Sequence, residues 1–128
     1  MKAQASIEFM TFISVLLLIF IVFIWNSFSL QKDMIKIESN TEAKRLSDKI
    51  AFEINTAVKS GNGYGRNFFI ENSFAGISNF QIFVDNYIAT VQWSGGLVNS
   101  QILTKNITGT VNKGWNFIEN KNGYIYVS

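Results

Sequence analysis

Few residues in this chain could do chemistry, and where they stand narrows what that chemistry is. Glu8 lies in the opening stretch MKAQASIEFM, immediately before a long uncharged run. The chain has no His and no Cys, so it lacks the commonest general base, any thiolate nucleophile and any disulfide. From residue 64 onward the only acids are Glu71, Asp85 and Glu119, and the only bases are Arg66, Lys105, Lys113 and Lys121. They fall mainly at predicted strand ends and turns, and no Ser-His-Asp or Cys-His set, phosphate loop or metal-ligand cluster can be assembled from them. The expectation is a protein that is not an enzyme, with no catalytic residues, no cofactor and no metal site. A formal net charge of +2 without a basic block makes nucleic acid an unsuitable partner.

Two surface chemistries remain open. Asn106, Ile107 and Thr108 form the N-x-[ST] triplet of an N-glycosylation acceptor between two predicted strands. Trp93, Trp115, Tyr124 and Tyr126 have ring faces that could stack on sugars, although alternating aromatics in strands also serve as core and cross-strand pairs.

From Phe9 to Gln31 no residue is charged, a run of 23 positions that would extend about 35 Å as a helix. A bilayer's hydrocarbon core is about 30 Å thick. Thr11 and Ser14 interrupt the densest part, FMTFISVLLLIFIVFIW, and both can return their hydroxyls to carbonyls one turn back. The run therefore reads as a membrane-spanning helix rather than a buried soluble one. Lys2 precedes it and Lys32 and Lys36 follow it, so loop charge leaves the orientation open. Trp25, Asn26, Ser27 and Phe28 occupy the far side, without the A-x-A pattern of an ordinary secretory cleavage site.

The stretch QASIEF resembles the Q-x-S-x-E-F motif of archaeal class III signal peptides, found in type IV pilin-like proteins. The resemblance rests on Gln4, Ser6, Glu8 and Phe9 and extends strongly over about the first 30 residues. It implies that a membrane-embedded prepilin peptidase cuts between Ala3 and Gln4, so that residues 1–3 are a leader and the hydrophobic segment stays on the mature subunit. Glu8 would then be fifth in the mature chain, where type IV pilins carry their glutamate. The resemblance further implies self-association into a helical filament, with a pilus assembly ATPase and a membrane platform protein as partners. Filament contacts would be made by Glu8, Phe9, Phe12, Leu16, Phe20 and Phe23. An ionised carboxylate in hydrocarbon tends to find a partner. Cleavage would create a cationic amine four residues from Glu8, and a neighbour's amine could pair with it and set the axial register. The simpler alternative keeps Glu8 at the headgroup level, where a negative charge suits a helix N-terminus.

The next stretch contains no Gly or Pro up to Ser60. Ile37, Ala43, Leu46, Ile50, Ile54 and Ala57 return to one helix face. Glu42 with Arg45, Lys44 with Asp48 and Lys49 with Glu53 are spaced as ion pairs on the other. Ser39, Asn40 and Thr41 are the expected weak point, where the helix could loosen or kink. Lys59 followed by Ser60, Gly61, Asn62 and Gly63 is a stop signal. The prediction is a nearly continuous helix over about 4–59, with 4–31 hydrophobic and 32–60 amphipathic.

After Tyr64 the period becomes two. Strands are expected at 67–71, 80–84, 87–93, 97–103, 107–111, 115–119 and 124–128, with turns at Asp85-Asn86, Ser94-Gly95-Gly96 and Asn122-Gly123. The fold class is α+β, type IV pilin-like: a long N-terminal helix packed on one small antiparallel sheet formed by residues 64–128. The expected core contains Ile50, Ile54, Phe80, Ile82, Val91, Trp93 and Ile125. So small a sheet module needs the helix to complete its core.

The leading expectation is a pilin: a membrane precursor that becomes an extracellular surface filament serving adhesion, with Asn106 glycosylated. A bitopic anchor carrying an extracellular binding module, a minor or tip pilin, and an archaellin-like subunit are the alternatives.

Overall fold

The computed structural model describes residues 1–128, apart from the side chain of Lys2, the basic residue of the leader expected from the sequence. The chain forms one helix and seven strands: α1 (Lys2–Ser60), β1 (Gly65–Ile70), β2 (Phe80–Asp85), β3 (Ile88–Trp93), β4 (Gly96–Gln101), β5 (Ile107–Gly109), β6 (Gly114–Lys121) and β7 (Tyr124–Val127). It divides into two compact units, Met1–Lys36 and Ile37–Ser128, and α1 contributes to both. The α+β class read from the sequence is the class observed.

Within the second unit, one stripe of α1 is buried: Ala43, Leu46, Ser47, Ile50, Ala51, Ile54 and Ala57. Steps of one, three and four residues keep them on one side of the helix. Phe68, Ile70, Phe80, Ala89, Val91, Trp93, Ile102, Ile118 and Ile125 complete the core from the strands and loops. Six of the seven expected core residues are buried; Ile82 is only half-buried and packs at the margin. The helix does not break at Ser39–Thr41, because Thr41 Oγ1 donates to the Ile37 carbonyl at 2.8 Å and its hydroxyl is satisfied within the helix. Left-handed Gly61 and Gly63 end α1 where the stop was expected.

The strands do not form a single antiparallel sheet. They make a four-stranded sheet in the order β1-β6-β7-β5 and a three-stranded meander β2-β3-β4. The β5–β7 pair is parallel, with Ile107 opposite Ile125 and Gly109 opposite Val127. Only three residues of the expected 107–111 strand are paired. Gly109 has φ 99°, and a Cβ there would overlap the Val127 carbonyl oxygen, so the chain leaves the ladder at that glycine. The β2–β3 turn lies one residue later than expected, at Asn86 and Tyr87, both left-handed. The Asp85 carboxylate steadies it by accepting from the Asn86 backbone amide at 2.7 Å. Asn122 and Gly123 form the expected tight turn between β6 and β7.

Polar groups tie α1 to the sheets. Ser47 Oγ donates to the Ala89 carbonyl at 2.8 Å, and Asn120 Nδ2 donates to the Ala57 carbonyl at 2.9 Å. Along β4, Lys44 Nζ donates to the Asn99 carbonyl and Asn55 Nδ2 to the Gln101 carbonyl, while the Leu103 amide donates to Asn55 Oδ1. The Glu42–Arg45 and Lys44–Asp48 pairs form as expected. The expected Lys49–Glu53 pair does not: Glu53 lies between Ile50 and Ala57 on the buried side and faces Arg66 at 3.7 Å, leaving Lys49 to reach Glu71 at 2.9 Å.

Two predictions follow from this arrangement. Gly109→Ala meets both the left-handed backbone and the Val127 carbonyl, whereas Gly123→Ala meets only the backbone. Gly109→Ala should therefore lower the thermal midpoint further than Gly123→Ala, whose cost is about 1 kcal/mol; equal midpoints would contradict the close approach. The hydrogen bonds from Lys44 and Ser100 hold Asp48 below its ordinary 3.8. At Glu71 desolvation acts upward, but hydrogen bonding to Lys49 and the nearby Lys49 and Arg45 charges prevail and hold it below 4.5. Carboxylates depressed in the folded state stabilise it fully above their unfolded values, and the contribution is lost as pH falls through the folded ones. Denaturant midpoints should therefore fall as pH drops below about 4.5, and less steeply in a Lys44→Met, Lys49→Met double variant.

Candidate functional site

Two surfaces stand out, one in each compact unit. In Met1–Lys36 the large apolar side chains are exposed. Phe9, Phe12, Leu16, Phe20 and Phe23 are 47–71% exposed, and steps of three, four, four and three residues place them on one helix face as a continuous aromatic and aliphatic ridge. Glu8 borders a shallow hollow with Ile7, Thr11, Phe12 and Val15. The polar interruptions are neutralised locally, since Thr11 Oγ1 donates to the Ile7 carbonyl and Ser14 Oγ to the Met10 carbonyl, each at 2.8 Å. Ala3, Gln4 and Ser6 are helical and exposed. Toward the other end, Ile21, Ile24, Trp25, Phe28, Ser29 and Lys32 surround a second hollow. A tryptophan beside a lysine suits the boundary between hydrocarbon and water.

One helix, Ala3–Ser60, is long and apolar enough to cross a membrane by length and composition. The structure thus brings every recognition and assembly residue singled out in the sequence into one helical segment, with Glu8 beside the start of the ridge rather than within it.

The second surface is the outer face of the four-stranded sheet, and here strand β6 reverses the expected polarity. Its buried side chains are Asn116, Ile118 and Asn120, while Trp115, Phe117, Glu119 and Lys121 point outward. Both buried asparagines are hydrogen-bonded through the oxygen and the nitrogen of the side-chain amide. Asn116 donates to the Asn112 and Gly114 carbonyls and accepts from the Asn112 amide, and Asn120 accepts from the Gly123 amide while bonding to α1. Phe69 of β1 meets Trp115 edge-on at 5.4 Å between ring centres, and Tyr124 and Tyr126 of β7 continue the same face. Trp93, grouped with them by sequence, lies in the core against Phe74.

Phe69 and Phe117 were not singled out from the sequence. Their period-two placement opposite Ile70 and Ile118 was the available signal, but alternation alone does not say which side is buried. Asn106 is exposed, at the apex of a tight turn in which the Ile107 amide donates to the Lys105 carbonyl at 3.0 Å. Among the described residues, no group of three or more His, Cys, Asp or Glu side chains is placed to hold a metal.

No family model, curated protein or solved structure matches this chain.

The helix surface generates a direct test of membrane insertion. Leu18→Arg, near the centre of the uncharged run, should oppose insertion by about 2.5–3.5 kcal/mol. The check is the fraction resistant to alkaline extraction of membranes, and an unchanged fraction would show that this segment does not span the bilayer.

Proposed function

We propose that the chain is a pilin-like structural subunit, held in a membrane as a precursor and polymerised outside the cell through its hydrophobic helix. The observation that carries this reading is Glu8, the single charge between residues 3 and 31, set beside an exposed ridge of large apolar side chains. In a plain anchor Glu8 can rest at the headgroup level, but once the helix is buried among copies of itself the carboxylate is costly unless it is paired. A helix that must also dock against copies of itself gains from a group that rewards one register.

In this reading a prepilin peptidase cuts before Gln4, recognising Gln4, Ser6, Glu8 and Phe9. The freed amine of one subunit pairs with Glu8 of another. The ridge of Phe9, Phe12, Leu16, Phe20 and Phe23 exchanges lipid contacts for protein contacts, so packing and that ion pair supply the specificity of assembly. An assembly ATPase and a platform protein drive extraction from the bilayer, and the sheet-bearing unit forms the exposed part of a filament serving adhesion. Trp25 and Lys32 suit the membrane stage, and they equally suit a second reading, a permanent bitopic anchor bearing an extracellular binding module.

Peptide mass spectrometry on protein sheared from the cell surface separates the two. A terminus at Gln4 in a high-molecular-weight fraction is expected; a Met1 terminus confined to detergent-extracted membranes would make the helix a permanent anchor. Glu8→Ala should insert normally yet enter filaments poorly, and normal filaments from that variant would remove the charge-pairing role.

A further inference from the structure

We propose that the outer face of the four-stranded sheet is the seat of a glycan attached at Asn106, whose sugars pack over Tyr126 and Tyr124 toward Phe117. The inference rests on the extracellular placement in the reading above, and it goes beyond that reading by assigning a ligand class to a surface with no role in assembly through the helix.

The register supplies the argument. The Ile125 amide donates to the Asn106 carbonyl at 2.9 Å, and the parallel ladder then sets Ile107 beside Ile125 and Thr108 beside Tyr126. The acceptor triplet is therefore the last strip of the same sheet that carries the exposed aromatics. From it, Tyr126 leads to Glu119, its partner on β6 and the second neighbour of Phe117 on that strand, and Phe117 lies opposite Asn67 of β1. Four strands at about 4.8 Å spacing make this path roughly 14 Å long, within reach of a short oligosaccharide.

The chemistry of the face agrees. Trp115 is 74% exposed and Tyr124 51%, so their ring faces are available for the apolar C–H faces of sugars, while Tyr126 and Phe117 are exposed less and Lys121 Nζ stands 5.7 Å from the centre of the Tyr126 ring. Exposed aromatics collected on one side of a sheet call for an occupant. The two charges on the face, Glu119 and Lys121, are 2.5 Å apart and cancel. That leaves a neutral surface with hydroxyl and amide groups, complementary to an uncharged polyhydroxyl ligand rather than to an ion.

Attachment needs a lipid-linked oligosaccharide phosphate as donor. The Asn106 side-chain nitrogen forms a bond to the anomeric carbon of the first sugar and loses one proton. The bond from that carbon to the phosphate oxygen breaks, and the lipid phosphate leaves with the electron pair.

The test compares the full chain from a host that glycosylates its surface proteins with Asn106→Gln and Thr108→Ala variants made in the same host, each extracted as monomer in detergent. Peptide masses read occupancy, and nitration by tetranitromethane reads the accessibility of Tyr124 and Tyr126, with exposed Tyr87 as internal control. Modified Asn106 with several-fold slower nitration of Tyr124 and Tyr126 than in either variant, and unchanged Tyr87, is expected. Unmodified Asn106 would overturn the proposal, while a Gln4 terminus in the same protein would leave the filament reading standing. Modified Asn106 with nitration equal to that of the variants would overturn the seat. Protection that arises only in filaments, and equally in those of Asn106→Gln, would assign the face to a second copy of the chain instead.

Discussion

Burial of one narrow stripe of α1 is the constraint on which the sheet-bearing unit depends. The inward residues of both sheets converge on it, from Phe68, Ile118 and Ile125 on one side to Ala89, Val91 and Trp93 on the other. Neither sheet is large enough to hold a core by itself, because small modules bury too little of their surface to offset chain entropy. The stripe includes several small residues, Ala43, Ser47, Ala51 and Ala57. Beside them polar groups cross the boundary, as Ser47 does to Ala89 and Asn120 to Ala57.

The same helix solves a different problem in its first 36 residues. From Phe9 to Leu30 the large apolar side chains are exposed all round the helix, a surface suited to lipid or to other apolar helices. Local hydrogen bonding at Thr11 and Ser14 removes the cost of their hydroxyls in such an environment. Glu8 stands at the head of the uncharged run, and the proposed role in assembly rests on the contrast between this charge and a surface otherwise prepared for hydrocarbon.

Much of the architecture was legible because helix and strand periods are local properties. The amphipathic pattern read from Ile37 to Ala57 identified the buried stripe from Ala43 onward, although Ile37 itself stays exposed outside it, and Asn122-Gly123 identified its turn. What escaped were relations between distant segments. Nothing near residues 107–109 announces a parallel partner eighteen residues later, and the split into two sheets is a matter of which distant strands pair, which no single strand's pattern carries. Glu53 had the spacing of a surface ion pair with Lys49, but its place between Ile50 and Ala57 took it inward. In the N-terminal segment Glu8 draws attention without any three-dimensional context, because a carboxylate directly before an uncharged run is unusual. The aromatic sheet face was not, since β6 has large rings on one side and an isoleucine flanked by asparagines on the other.

That inversion in β6 bears on how the strand finds its place during folding. A slip of one residue against β1 or β7 would turn Trp115 and Phe117 inward and Ile118 outward, an exchange that apolar burial alone would scarcely resist. The penalty comes instead from Asn120, whose amide would lose the Ala57 carbonyl of α1, whereas the bonds of Asn116 to residues 112 and 114 and of Asn120 to the Gly123 amide are local and travel with the strand. Strand alignment thus leans on one long-range amide contact more than on hydrophobic pattern, and the outward ring positions are free to diverge without endangering the alignment of the sheet.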